Sequence, residues 1–306
     1  MSDEFTEEEL EAIAQEESQP KASELLAKRI QLVKDGKYAE VKFPFRAFTK
    51  ITKALYPGTI TVIGGNPGCS KSLFLLQCLN YWHTEGIPAC IYALENDMEY
   101  HMMRILAQRE EQEGLTELEW IEANPEIADE ILERNTDFVD ELGQHIWVPE
   151  KSDFNMDKAA LWLIERAKEG HRIICIDPVS KIPIADAQSW RGEKAFIAHA
   201  DQIATKYGCS IIFVAHPGKK LPKIPSMSDL AGSADYARFA HAIVWLESHD
   251  PIFHNVTRSI GPESMEHNRT MHILKVRNGP GQGVQDAFMF NVKGLLMKEC
   301  GPITKG

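Results

Sequence analysis

Residues 65 to 72 read GNPGCSKS, and their types suit one task, wrapping a phosphate. Gly65 and Gly68 allow the backbone to turn where a Cβ would strike an oxygen, so that successive N–H groups face inward. Lys71 then reaches the β- and γ-phosphates of a nucleoside triphosphate, and the Ser72 hydroxyl ligates Mg2+. The whole loop, Gly65, Asn66, Pro67, Gly68, Cys69, Ser70, Lys71 and Ser72, is the expected site for ATP. One position departs from the pattern: Ser70 stands where such loops carry glycine before the lysine.

Further residues complete a hydrolytic constellation. RIICID, residues 172 to 177, is an apolar run ending in Asp177, the form of a Walker B carboxylate that holds Mg2+. Pro178 follows it, so the general base must come from elsewhere. Glu95, at the end of the run ACIYAL, is the candidate, placed to polarise the water that attacks the γ-phosphate. His216 follows the run CSIIFVA and is placed to sense whether that phosphate is present. Lys275 and Arg277 stand two apart in HILKVRNGPGQG, hence on one face of a strand, and suit an arginine-finger role on a neighbour's ATP.

These groups need a scaffold that brings distant segments to one edge. From Thr59 onward strand-like and helix-like runs alternate: 59–64, then helix 71–84; 89–94, then helix 98–112; 145–148, then helix 156–169; 173–177, then helix 192–207; and 210–215. This rhythm predicts an α/β fold, a mostly parallel sheet flanked by helices, with ligands at the carboxyl ends of the strands. Runs at 242–246, 271–276, 287–292 and 295–298 succeed one another without helices, which predicts C-terminal antiparallel strands. Lys293-Gly294 suits the last hairpin turn. Upstream, residues 1–40 read as an acidic arm followed by an amphipathic linker or interface helix, with Leu25, Leu26, Ile30 and Val33 on one face. Residues 41–306 then form the ATPase domain, which includes an acidic helical segment at 110–141.

The net charge of −12 is unevenly spread. Residues 1–20 hold eight acidic groups and no Lys or Arg, and residues 110–141 hold thirteen against Arg134 alone. Setting aside those contributions of −8 and −12 leaves the rest of the chain at +8, so the overall sign does not exclude a polyanionic partner. No apolar run approaches the ~20 residues of a membrane span, and no signal-peptide pattern is present, so an intracellular, cytoplasmic protein is expected. The six cysteines form no CxxC pair, which argues against a disulfide framework or a zinc site.

Taken in order, these segments resemble the helicase domain of the DnaB and phage primase-helicase family, within the RecA-like ATPases. The resemblance runs from PGTITVIGGNPGCSKS through ALENDMEYHMMRIL, IICIDPVSKI and IIFVAHPGKK to MSDLAGSADYARFAHAIVWL and LKVRNGPGQG, covering residues 41–298. It implies ATP and Mg2+ at the loop and Asp177, with Arg104 also at the nucleotide. It implies a homo-oligomeric, hexameric ring in which Lys275 and Arg277 serve the adjacent subunit. The loops after Asp177 and His216 would line a channel for single-stranded DNA, through Lys181 and Arg191 in the first and Lys219, Lys220 and Lys223 in the second. Such lysines neutralise phosphates without reading bases. A primase, loader or other replication protein is the implied partner, and phage or plasmid replication the implied setting. A primase-like or other sizeable N-terminal domain is not expected ahead of the motifs. The alternative is a RecA-like ATPase acting as a nucleotide-switched assembly or regulatory protein without unwinding.

Overall fold

The computed structural model describes residues 21–149, 155–182, 189–218, 224–230 and 233–304. The chain divides into two compact units, Met1–Ala39 and Glu40–Gly306. In the first, Ala22–Lys34 forms helix α1, and Leu25, Leu26, Ile30 and Val33 along it are all exposed. The acidic arm expected at residues 1–20 lies outside the described residues.

The second unit opens with helix α2, Arg46–Thr52. Five strands then alternate with helices: β1 Thr59–Gly65, α3 Lys71–Thr84, β2 Ala89–Ala93, α4 Met98–Glu110, a helical insert, β3 Ile146–Trp147, α5 Met156–Lys168, β4 Ile173–Asp177, α6 Ser189–Tyr207 and β5 Ser210–Val214. A short helix, α7 Ser233–Phe239, precedes four strands in succession: β6 Ala242–Arg258, β7 Gly261–Val276, β8 Gln285–Asn291 and β9 Leu296–Pro302. They form one nine-stranded sheet in the order β3-β2-β4-β5-β1-β6-β7-β8-β9. From β3 to β6 every neighbour is parallel, and β7, β8 and β9 are antiparallel. The expected fold class is therefore observed, with one refinement: β6 is parallel to β1 and only its far side faces an antiparallel partner.

The inner parallel strands β1, β2, β4 and β5 are mostly apolar and buried along their whole length because both faces are covered. Ile63, Ile91, Ala93, Cys175 and Val214 turn to one layer, where they meet Phe48, Phe74, Leu75 and Trp82. Ile60, Val62, Ile174, Ile176 and Phe213 turn to the other, against Trp162, Leu163, Phe196 and Ile197. Alternate residues of one strand thus belong to different cores, as a period of two requires. All six cysteines are buried free thiols.

In the insert, Leu118–Ala123, Pro125–Arg134 and Thr136–Gly143 are helices that follow a 3-10 turn at Glu113–Thr116. The insert closes a small core of Leu106, Ala107, Leu115 and Ile131. The last hairpin does turn at Lys293-Gly294, with the Leu295 N–H on Val292 O at 3.1 Å. Its left-handed residue is Leu295, φ 49°, rather than the glycine.

Candidate active site

Local backbone demands shape the loop between β1 and α3. A Cβ at Gly65 would lie 2.7 Å from Cys69 Sγ and would also strike the Leu246 carbonyl of the neighbouring strand. Ser70 caps α3 with φ 75° and ψ 29°, the left-handed region, so the conformation that favours glycine persists although the residue does not. That conformation costs a non-glycine residue about 1–2 kcal/mol. The first-turn amides of α3 are free of helical partners, which makes the helix end an anion site by geometry and dipole.

Lys71 is buried, and its ammonium donates to the carbonyls of Gly65 at 2.8 Å and Asn66 at 2.9 Å. Among the described residues its hydrogen-bond partners are two carbonyls and the Cys69 thiol, so an arriving phosphate would supply a directly bonded countercharge. Asp177 ends β4, buried, and is hydrogen-bonded by the Ser72 side chain. Burial raises the Asp177 carboxyl to about 6; the Ser72 bond and Lys71 oppose that rise, and Glu95 adds to it. A buried carboxyl beside a hydroxyl, next to a cation and free helix amides, fits a Mg2+–triphosphate pair, since a divalent ion would reverse the penalty that burial places on the carboxylate.

Glu95 and His216 meet. Each follows a strand of the parallel sheet, and His216 Nε2 lies 3.2 Å from Glu95 Oε1 across β4, which separates their strands. Lys181, expected among the DNA-contacting residues, lies 4.0 Å from the same Glu95 oxygen and is exposed. The segment after His216 is held by an isolated bridge between Pro217 and Leu230 before it continues to residues 219–223. Lys219, Lys220 and Lys223 lie outside the described residues. Arg191 falls in α6, and its side chain lies outside them too.

Lys275 and Arg277 share a face, as their spacing predicts, but that face is remote from the loop. Ile243 pairs with Lys275 near the start of β6, whereas the loop leaves β1 where Gly65 pairs with Leu246. The pair therefore lies at the amino end of the parallel strands, a strand length of ~13 Å away. Lys275 Nζ donates to the carbonyls of Ala237 and Ala240, each at 2.7 Å, and Arg277 Nη2 to that of Arg238 at 2.6 Å. Both cations thus sit on the C-terminal carbonyls of α7, where the helix dipole favours positive charge. SDLAGSADYARFA and LKVRNGPGQG, separate in sequence, are in this way one structural unit. The glycines of the second motif allow close approach: Gly281 N donates to Ile51 O at 2.9 Å, and a Cβ there would lie 2.7 Å from that oxygen.

Arg104 is not brought to the loop by any described contact. Its guanidinium lies 3.2 Å from the Tyr100 ring centroid and donates to Tyr100 O at 3.2 Å, both within α4. One residue at the loop escaped the sequence reading. Arg269 of β7 donates from Nη2 to Ser70 Oγ at 3.3 Å. Only the oddity of Ser70 marked that position, and nothing in HNRTMH singles out its arginine.

A central strand leading into a phosphate-type loop, with acidic groups at the carboxyl edge of a mainly parallel sheet, defines a P-loop ATPase of RecA-like fold. The sequence matches the AAA domain family over residues 27–221, and the chain belongs to that family of ATPases. A solved ATPase domain superposes with a TM-score of 0.68 at 16% identity, covering 93% of this chain and 99% of that one. A DnaB-like replicative helicase, solved in a study of its interactions with primase, superposes at 0.64 with 18% identity, covering 94% and 70%. A KaiC-like protein from Pyrococcus horikoshii OT3 gives 0.57 at 15% identity, covering 86% and 99%. No curated protein matches the sequence. The fold is that of the RecA-like domain of DnaB-like helicases. Among the described residues no helix is long and apolar enough to cross a membrane.

Proposed function

We propose that the chain is the motor of a ring-forming replicative DNA helicase, hydrolysing ATP at subunit interfaces to move 5′ to 3′ along single-stranded DNA. The contact between Glu95 and His216 carries this reading, because it joins a candidate base to a candidate sensor beside Lys71, Ser72 and Asp177. The loop amides and Lys71 bind the triphosphate, and Ser72 and Asp177 hold Mg2+, which lends positive charge to the phosphates. Glu95 accepts a proton from the attacking water, and His216 orients the carboxylate that does so. Lys275 and Arg277 lie a strand length from their own loop, so the nucleotide within their reach is a neighbour's. That geometry supports a closed homo-oligomer, and we take a hexamer as the ring.

Lys181, Arg191, Lys219, Lys220 and Lys223 contact the DNA backbone in this scheme. The exposed apolar face of α1 packs on the adjacent subunit, and a primase or loader is the partner. Strand displacement on a forked duplex, with ATP and with a non-hydrolysable analogue, tests the proposal; unwinding by ATP alone is expected. Ser70, a non-glycine residue in the left-handed region, favours a second reading, a nucleotide-switched assembly protein. Nucleotide-dependent assembly without stimulation of hydrolysis by single-stranded DNA selects that one.

A further inference from the structure

Arg269 is a half-buried cation whose described surroundings hold no carboxylate. It sits on β7 between Ser248 of β6 and Phe288 of β8, level with the start of the phosphate loop. Its Nη1 donates to Asn268 O at 2.8 Å, its Nη2 to Ser70 Oγ at 3.3 Å, and its carbon Cζ lies 4.9 Å from the Phe290 ring centroid. The third nitrogen, Nε, is buried with no hydrogen-bond partner among the described residues. A desolvated guanidinium without a countercharge is unfavourable, yet it cannot discharge near neutral pH. Burial does lower its pKa from the usual value, with Cys69 opposing. The group that it touches is the one residue of the loop that departs from the usual pattern.

We propose that Arg269 is a second phosphate-binding cation, supplied in cis, and that Ser70 is the anchor that holds its guanidinium at the loop. This rests on the nucleotide reading of the loop given above. Ser70 caps α3, whose first-turn amides take the phosphate common to ADP and ATP, whereas Asp177, Glu95 and His216 gather where the γ-phosphate ends. Arg269 therefore strengthens ADP and ATP binding alike. Ser70 keeps its strained backbone because the hydroxyl that glycine lacks positions this cation.

Fluorescence titration of the full chain with labelled ADP and a labelled non-hydrolysable ATP analogue tests the assignment. Arg269→Gln should weaken both by about tenfold, ~1.4 kcal/mol. Arg269→Lys, which keeps the charge but offers a smaller fork of donors, should weaken both by about threefold (~0.65 kcal/mol) with a wild-type unfolding temperature. The Arg269→Gln deficit should shrink as ionic strength rises, a dependence that a packing role would not give. Ser70→Gly should tighten binding more in the Arg269→Gln background than in the wild type, since only there does the glycine gain backbone ease without losing the anchor.

Lys71→Ala is the control that separates the two readings. If the wild type binds neither nucleotide, or binds them independently of Lys71, the nucleotide reading itself fails. If binding depends on Lys71 while both Arg269 variants bind as the wild type does, or lose affinity for the ATP analogue only, the role assigned to Arg269 is overturned and the loop reading stands.

Discussion

Two groups of cations sit at opposite ends of the same parallel strands, and both are held by backbone carbonyls. At the carboxyl end Lys71 donates to Gly65 and Asn66; at the amino end Lys275 and Arg277 donate to Ala237, Ala240 and Arg238. A carbonyl holds an ammonium or guanidinium without cancelling its charge, so either group keeps its attraction for phosphate. They differ in their surroundings. Lys71 is buried beside Asp177 and the free end of a helix, whereas Arg277 is exposed at the edge of the unit. In the function proposed above, one group meets a phosphate of its own chain and the other meets a neighbour's.

Removing each group in turn breaks this comparison most directly. Lys71→Ala should abolish ATP binding and lower hydrolysis on the order of 10⁴-fold, read by steady-state phosphate release. Arg277→Ala should lower hydrolysis by about 10³-fold while leaving ATP binding intact, as expected of a group that acts across an interface. Mixing it into wild-type protein should inhibit more than in proportion to its share, and a strictly proportional loss would put Arg277 outside the neighbour's site. Ser70→Gly sharpens the contrast on the loop side: release of the left-handed strain, ~1 kcal/mol, opposes loss of the Arg269 anchor, so ATP binding should be preserved within a few-fold of the wild type. If it abolished binding, the loop geometry described above would be wrong.

The smallest effect is expected far from both groups. Asp286 of β8 is fully buried, and burial, followed by the neighbouring Glu299, pushes its carboxyl well above the usual range. Between the unfolded and folded values the native state binds the extra proton, so stability falls as pH rises through that window. Asp286→Asn, which imitates the protonated acid, should remove that slope in thermal unfolding and leave ATP hydrolysis unchanged.

Much of this was legible in the sequence where local chemistry alone sets the structure. The helix at 71–84 and the strand at 173–177 fall where their apolar runs and the loop before α3 require. The outer hairpin was not legible. β6 and β7 run to Arg258 and from Gly261, well beyond the expected 242–246 and 271–276. Residues 248–269 carry Pro251, Pro262 and many exposed polar groups, so no period-two pattern announces strands there. They pair because Val256 packs with Ala287 and Cys300 of the strands beneath, a contact between distant segments. The same distinction runs through the site. Glu95 and His216 could be named from their places after strands, but their contact depends on β2, β4 and β5 standing side by side.

The sequence by itself determined the kinds of chemistry available: a phosphate loop, a buried strand aspartate, a free glutamate and histidine, and a paired lysine and arginine. Each follows from residue type and spacing within one segment. Only the tertiary structure decided which of these act together. Strand order brings Glu95 to His216, sets Lys275 and Arg277 against the end of α7 and away from the loop, and places Arg269 on Ser70. Those relations come from the register and neighbours of strands far apart in the chain, and they are settled by burying two apolar faces at once.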